Sequence, residues 1–447
     1  MNPQNKKFLL IAGGAFVLFV IIVIVIVASL GGSKKSTTQT LTFWQYSDDN
    51  SAYDNIISKF ESENKVKVNI VKKDPKEYLQ DSLNEIAAGN GPDVWEVPND
   101  WMVTYKDKMV PMTDGLIAKK NKTDAEVYRE LYPVVFSQDD VFDGKVYGVP
   151  LVVDVLSLFI NRDVLNATIK EYQSAHPDED TENIRQIFGD GPKNWDELVF
   201  ASRLSTQKSG DDITRSGVAL GTPEISNSVD ILTTIMMQNG AKMTSDDNSS
   251  AQFQTQQNIF SGENFPGTKA LTFFASFSNS NDANYSWNNA LGDNVRAFAE
   301  GKAAMLIGYS SQESDVLRIN SKANYKIVNL PQIKETKNPV NFVSYPTYTV
   351  TKASKSPDLA WKFILKFTNE LSANRYAQDT KKTAALTTSI GKTSPVLTAQ
   401  DWYKPDPDKT DTIFNDMIKQ VNDGKNAQTA IENAASQITT LLEKLKG

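Results

Sequence analysis

Residues 144–163, GKVYGVPLVVDVLSLFINRD, decide how this chain reads. Asp143-Gly144 is a turn signal, and Val146, Tyr147 and Val149 follow it before Pro150. Beyond the proline, Val153, Val155, Ser157 and Phe159 alternate with Val152, Asp154, Leu156, Leu158 and Ile160. A strand this apolar on both faces belongs inside a covered sheet. Asp154 is the one carboxylate in the run. A charge at such a place is costly unless polar groups meet it. Asp154 is therefore either hydrogen-bonded within the protein or turned towards a ligand.

Upstream, Leu41–Tyr46 (LTFWQY) reads as a strand, and Tyr53, Ile56, Ile57 and Phe60 recur at helical spacing. Val66, Val68 and Ile70 alternate as a second strand. Asp74 is a candidate cap for a helix carrying Leu79, Leu83 and Ile86 and ending at Gly89; Val94–Val97 is a third strand. Strand, helix, strand, helix, strand at this spacing predicts a parallel sheet covered by helices, with ligands at the carboxyl ends of its strands. Downstream, residues 166–193 are polar and acid-rich and read as a surface insertion. Asn194 caps a helix, with Glu197 at the reciprocal position. Gly217–Leu220, Ala303–Ile307, Tyr325–Asn329 and Tyr348–Val350 read as strands. Val229–Gln238, Val295–Glu300, a segment opened by Ser356-Pro357, Thr412–Val421 and Ala427–Leu445 read as helices.

The first forty residues are of another kind. Lys6 and Lys7 precede a run, Phe8–Leu30, that is apolar but for Ser29. At about 1.5 Å per residue such a helix crosses the ~30 Å hydrocarbon core. A retained anchor is the expected reading, with cleavage after Val27-Ala28-Ser29 as the alternative. The segments expected are a cytoplasmic tail over 1–7, a transmembrane span over 8–30 and a flexible linker over 31–40. The large domain then lies on the extracytoplasmic side of the cell membrane. With no cysteine in the chain, disulfides and cysteine lipidation are excluded. All 54 acids but only 43 of the 47 bases follow residue 40, which gives the remainder a net charge of −11. Such a body is ill-suited to gripping phosphate backbones, so no nucleic-acid partner is expected.

Much catalytic chemistry lacks its parts. His176 is the only histidine and sits in a polar, acid-rich stretch, so Ser–His–Asp, Cys–His and ordinary zinc arrangements cannot be assembled. Gly391-Lys392-Thr393 resembles the end of a phosphate loop, but Leu386 stands where its first glycine belongs. Asp48-Asp49-Asn50 lacks the alternation and turn glycine of a calcium loop. Paired-carboxylate glycoside hydrolysis needs only two acids and remains open. No cofactor or metal is expected.

Seven fragments in order carry a family resemblance: LTFWQYSDD, GNGPDVWEVPNDW, YGVPLVVDVLSLFINRDVL, PKNWDEL, FAEGKAAMLIGYSS, the segment from LPQI to YTVTKASKSPDLAWKFI, and DWYKPDP. Together they span essentially all of residues 41–447, and the chain resembles an extracellular solute-binding protein of an ABC importer, of the maltodextrin-binding-like group. The resemblance implies an α/β, periplasmic-binding-protein-like fold: two α/β lobes with a hinge and a ligand cleft, here preceded by one transmembrane helix. Residues 41–151 and 332–375 are expected in the amino-terminal lobe, and 152–331 and 376–447 in the other. It implies a monomer that binds a carbohydrate and delivers it to permease subunits, without catalysis. A sensory ectodomain and a glycosidase are the competing readings. Sugar recognition calls for aromatic faces and planar acceptors. Matching positions supply Trp44, Tyr46, Asp48 and Asp49 after the first strand, Asp100 and Trp101 after the third, and Asp154 at the crossing. Glu224, Tyr309 and Trp402 face them from the second lobe. For each aromatic the ordinary alternative is core packing, weightiest for Trp44 and Trp95.

Overall fold

A computed structural model describes residues 38–46, 53–210, 212–259, 262–380 and 382–446. The expected transmembrane helix lies outside these. Among the described residues no helix is long and apolar enough to cross a membrane.

The opening strand β1 (Gln39–Gln45) is followed by α1 (Asp54–Asn64), β2 (Val66–Lys72), α2 (Tyr78–Ala87) and β3 (Val94–Pro98). β1 pairs in parallel with both β2 and β3, as the alternation of apolar strands and amphipathic helices predicts. Asp74 does not cap α2. Its carboxylate accepts from the Lys76 amide, and the helix begins at Tyr78. Next come α3 (Trp101–Tyr105), β4 (Met109–Val110), α4 (Asp124–Leu131), α5 (Val134–Asp140) and the hairpin β5 (Val141–Phe142) to β6 (Lys145–Val146). Asp143 and Gly144 join that hairpin with φ of 52° and 72°. Two left-handed residues give a turn whose twist matches the strands. β7 (Val149–Pro150) then leads into β8 (Val152–Asn161).

The second half begins with α6 (Arg162–Ala175), α7 (Glu182–Asp190) and α8 (Trp195–Ser205). The surface insertion expected over 166–193 is corrected here. Ile169, Ile184 and Phe188 are buried in the same core as Leu158 and Phe159, so these are amphipathic helices closing one side of a sheet. Their solvent faces hold the acids. Asn194 caps α8 by accepting from the Glu197 amide at 3.0 Å, while the Glu197 carboxylate accepts from the Lys193 amide at 2.8 Å. Then follow β9 (Gln207–Ser209), β10 (Asp212–Val218) and α9 (Ser228–Gln238). A Cβ on Gly217 would stand 2.0 Å from the Ser202 carbonyl oxygen, so only glycine lets β10 lie this close to α8. The hairpin β11 (Gln257–Ile259) to β12 (Gly262–Asn264), α10 (Pro266–Ser276), α11 (Asn294–Ala299) and β13 (Ala303–Tyr309) precede a 3₁₀ turn at Ser310–Gln312. After α12 (Glu313–Ile319) come β14 (Tyr325–Asn329), β15 (Val343–Ser344), β16 (Pro346–Thr351), α13 (Pro357–Phe367), α14 (Glu370–Thr380) and β17 (Thr383–Ala384). α15 (Pro407–Asn422) and α16 (Ala427–Lys446) close the chain.

Two sheets result, in the orders β2-β1-β3-β16-β4 and β14-β8-β13-β10-β9. Each has its own core and defines a lobe. β8 belongs to both: Val152 and Val153 pack in the first core, Leu156–Ile160 in the second. The chain returns between Phe342 and Val343 and leaves again between Ala399 and Trp402. Tyr376, Leu386 and Val396 thus pack with the first sheet, past the 375 boundary expected from sequence. The crossings are adjacent. Ser344 pairs with Asp154, and the Asn341 amide donates to the Thr398 carbonyl at 3.2 Å.

Candidate functional site

Beside two of the crossings, at Val152–Asp154 and Ser344–Pro346, a cavity of about 130 Å³ is lined by Tyr46, Asp154, Tyr309, Ser344, Tyr345 and Lys382, among others. Tyr46 follows β1, its amide donating to Glu96 at 2.9 Å and its ring 5.1 Å from that of Tyr78. Tyr309 ends β13, so the two rings arrive from opposite lobes at strand carboxyl ends. Asp154 is placed by β8. One of its oxygens accepts from the Ser310 amide at 2.8 Å and from the Ser310 hydroxyl; the other accepts from the Ser311 amide at 2.8 Å. The carboxylate thus ties the crossing strand to the turn after β13, and it also lines the cavity.

The Tyr309 hydroxyl donates to Asp230 at 2.8 Å, and Asp230 opens α9 beside Lys404. Lys404 is buried, 2.7 Å from Asp411 and 3.4 Å from Asp100. Burial alone would lower its ammonium. The carboxylates of Asp100, Asp411 and Asp230 outweigh it and hold the group above the usual lysine range. Burial pushes Asp230 up to about 6, opposed by Lys404. A second acidic group lies alongside. Asn99 Nδ2 donates to Asp401 at 2.8 Å and to Asp139 at 3.1 Å, and the Tyr345 hydroxyl donates to Asp139 at 2.5 Å. Burial raises the carboxyls of both Asp139 and Asp401. These two acids, with Val103, Met237, Met243, Trp402 and others, border a larger cavity of about 500 Å³ between the lobes.

The remaining residues named from sequence fall in different places. Trp44 is core, its ring under the Lys73 ammonium at 4.0 Å and its carbonyl accepting from the Tyr78 hydroxyl at 3.1 Å. Trp95 is buried beside it. Trp101 begins α3, half-buried, with its ring 6.0 Å from Tyr78 and 6.1 Å from Trp95. Asp100 stands before it and reaches Lys404 across the interface. Trp402 packs into the second core with its ring 6.0 Å from Phe414, and borders the larger cavity only. Glu224 is exposed and borders neither cavity. Asp48 and Asp49 lie outside the described residues. Sequence reasoning passed over Lys404 and Asp401, which stand in the same DWYKPDP stretch as Trp402, and over Asp230, the lone acid of an apolar helix. An acid inside an apolar run was the signal used for Asp154, and it applied equally to Asp230.

The site offers aromatic edges, carboxylates and buried hydroxyls. Among the described residues no group of three or more His, Cys, Asp or Glu is arranged to hold a metal ion. Against known proteins, a family model described as bacterial extracellular solute-binding protein matches residues 55–410. The galactooligosaccharide-binding protein of Bacillus subtilis is 24% identical over 359 residues, 77% of this chain and 72% of the relative. The maltodextrin-binding protein MdxE of the same organism is 24% identical over 379 residues, 79% of this chain and 77% of its own. Among solved structures, the cyclic alpha-maltosyl-1,6-maltose binding protein of Arthrobacter globiformis superposes with a TM-score of 0.70 at 17% identity, covering 91% of this chain and 100% of that one. The Listeria monocytogenes MalE complex with maltose gives 0.65 at 18% identity, covering 91% and 97%. The structural likeness is one of fold, the periplasmic-binding-protein fold. With a family model matching most of its length and two cores joined by three adjacent crossings, this chain belongs to the bacterial extracellular solute-binding protein family, whose members bind solutes rather than transform them.

Proposed function

We propose that this protein is the carbohydrate-binding component of an ABC importer, taking a mono- or oligosaccharide between its lobes and delivering it to permease subunits. The observation that carries this reading is that Tyr46 and Tyr309, from opposite lobes, line one cavity beside the crossing strand β8. Aromatic rings suit the C–H faces of a sugar, and the surrounding carboxylates and hydroxyls suit its hydroxyls. The relatives named for galactooligosaccharide and maltodextrin support the ligand class. A cavity of about 130 Å³ lies below the ~300 Å³ of a small ligand pocket, so the lobes part to admit a ligand and close on it. In this reading Asp154 lines the cavity, Asp100 and Trp101 serve the ligand from the first lobe, and Asp48 and Asp49, outside the described residues, are further candidates. Melting of the full-length protein in detergent, with malto- and galactooligosaccharides, tests the class. A ligand that binds the native state raises the midpoint by mass action, and no shift with any sugar at millimolar concentration sinks the reading.

The domain is tethered to the cell membrane by Phe8–Leu30 and works as a monomer on the extracytoplasmic side. The length of the apolar run and its lysine flanks support this. The protein is expected in the membrane fraction. Recovery from the medium with an amino terminus near Leu30 would instead mean cleavage.

A further inference from the structure

Lys404 is a buried cation aimed at by carboxylates from three elements. Asp411 of α15 lies 2.7 Å from its ammonium, and Asp100, which precedes α3 in the other lobe, lies 3.4 Å away. Asp230 of α9 also acts on it, and accepts a hydrogen bond from the Tyr309 hydroxyl at 2.8 Å. Asp401, three residues upstream, feels the same charge. Two further hydrogen bonds run parallel to the ion pair: Asn99 to Asp401 at 2.8 Å, and the Asp406 amide to the Thr104 hydroxyl at 3.0 Å. Lys404 is thus the cation around which acids of both lobes gather.

We infer that Lys404 is a positioning residue of the interlobe site, holding α3 against the second lobe and fixing the Tyr309 hydroxyl through Asp230, without itself touching ligand. Remove its charge and Asp100 faces Asp230 and Asp411 across the interface with nothing between them. Like charges left unpaired at a partly covered interface repel and draw water, and that pushes the lobes apart. Its effect on affinity rests on the carbohydrate reading; its effect on lobe spacing does not.

The chain has no cysteine, so Ser62→Cys on α1 and Ser436→Cys on α16, both exposed, give a clean spin-label pair across the lobes. Label separation is measured by pulsed electron resonance on the full chain in detergent, for the labelled parent, Lys404→Met and Lys404→Arg. Near pH 7.5, Lys404→Met is expected to lengthen and broaden the distance by several ångströms, and Lys404→Arg to keep the parent value. Near pH 5 the Lys404→Met distance should shorten again, because Asp230, raised by burial to about 6, takes up a proton. A residue that only filled space would show neither the arginine rescue nor the pH reversal. Titration with maltotetraose is the second arm. Lys404→Met is expected to bind roughly 30-fold more weakly, and Lys404→Arg within about threefold of the parent. A Lys404→Met distance equal to the parent's overturns the inference whatever the sugar result. A parent that binds no oligosaccharide, while Lys404→Met still lengthens the distance, refutes the carbohydrate reading and supports the spacing role. Should Lys404→Met fail to fold, Asp100→Asn removes the cross-lobe partner alone, and an unchanged distance there overturns the inference as well.

Discussion

At Asp154 two readings were legible in the sequence, but the choice between them was not. Its partners, Ser310 and Ser311, stand more than 150 residues away and meet it only because β8 and β13 pair. Asp154→Ala leaves two backbone amides without their acceptor, which costs about 1–3 kcal/mol. Melting of the unliganded protein should fall accordingly, while affinity changes less than it does for Asp100→Ala. An unchanged melting curve with lost affinity would return Asp154 to the ligand. Asp139 and Asp140 present a different residue-scale test. Burial raises their carboxyls to about 8 and about 7, against ~3.9 for a free Asp. The folded chain binds these protons more tightly than the unfolded chain. Their contribution is therefore complete below ~4 and is lost as pH rises through the folded values. Asp139→Asn still accepts from Tyr345 but has no charge to bury. Its melting temperature relative to the parent should climb between pH 5.5 and 8.5, and parallel curves would contradict this.

Elements were legible wherever one face repeats. The pattern placed β8, β14, α9 and both closing helices within a few residues, because burial on one side leaves a period of two or of 3.6. It failed at α6 and α7. There Ile169, Ile184 and Phe188 are too sparse among acids to outweigh the polar composition, yet the helices bury all three against the sheet. Phe188→Ala tests that packing: a buried phenylalanine truncated to alanine costs about 3–5 kcal/mol, whereas a surface insertion would lose less than ~0.5. Denaturant unfolding of the variant distinguishes the two. The surroundings of a tryptophan were hard to read for a related reason. Trp402 has polar neighbours in sequence but packs on Phe414, twelve residues on, through the start of α15.

For the whole molecule, apolar patterning reveals that a segment is buried but not in which core. Residues 332–342 and 376–399 therefore changed sides between expectation and structure, while the sharing of β8 between lobes was implied by the family resemblance and not by the strand's own pattern. The site was legible in part. Tyr46, Asp154 and Tyr309 converge on one cavity, and Asp100 joins the charge network, but Lys404 and Asp139 emerge only when the lobes are brought together. The central claim is reversible capture of a carbohydrate between those lobes. Its most direct test is isothermal titration of the full-length protein with the oligosaccharide that most raises its melting temperature, followed by chromatography of the recovered sugar. One saturable site per chain, and sugar returned intact, is the predicted result. Absence of saturable binding across the malto- and galactooligosaccharides, or recovery of cleaved sugar, would contradict it.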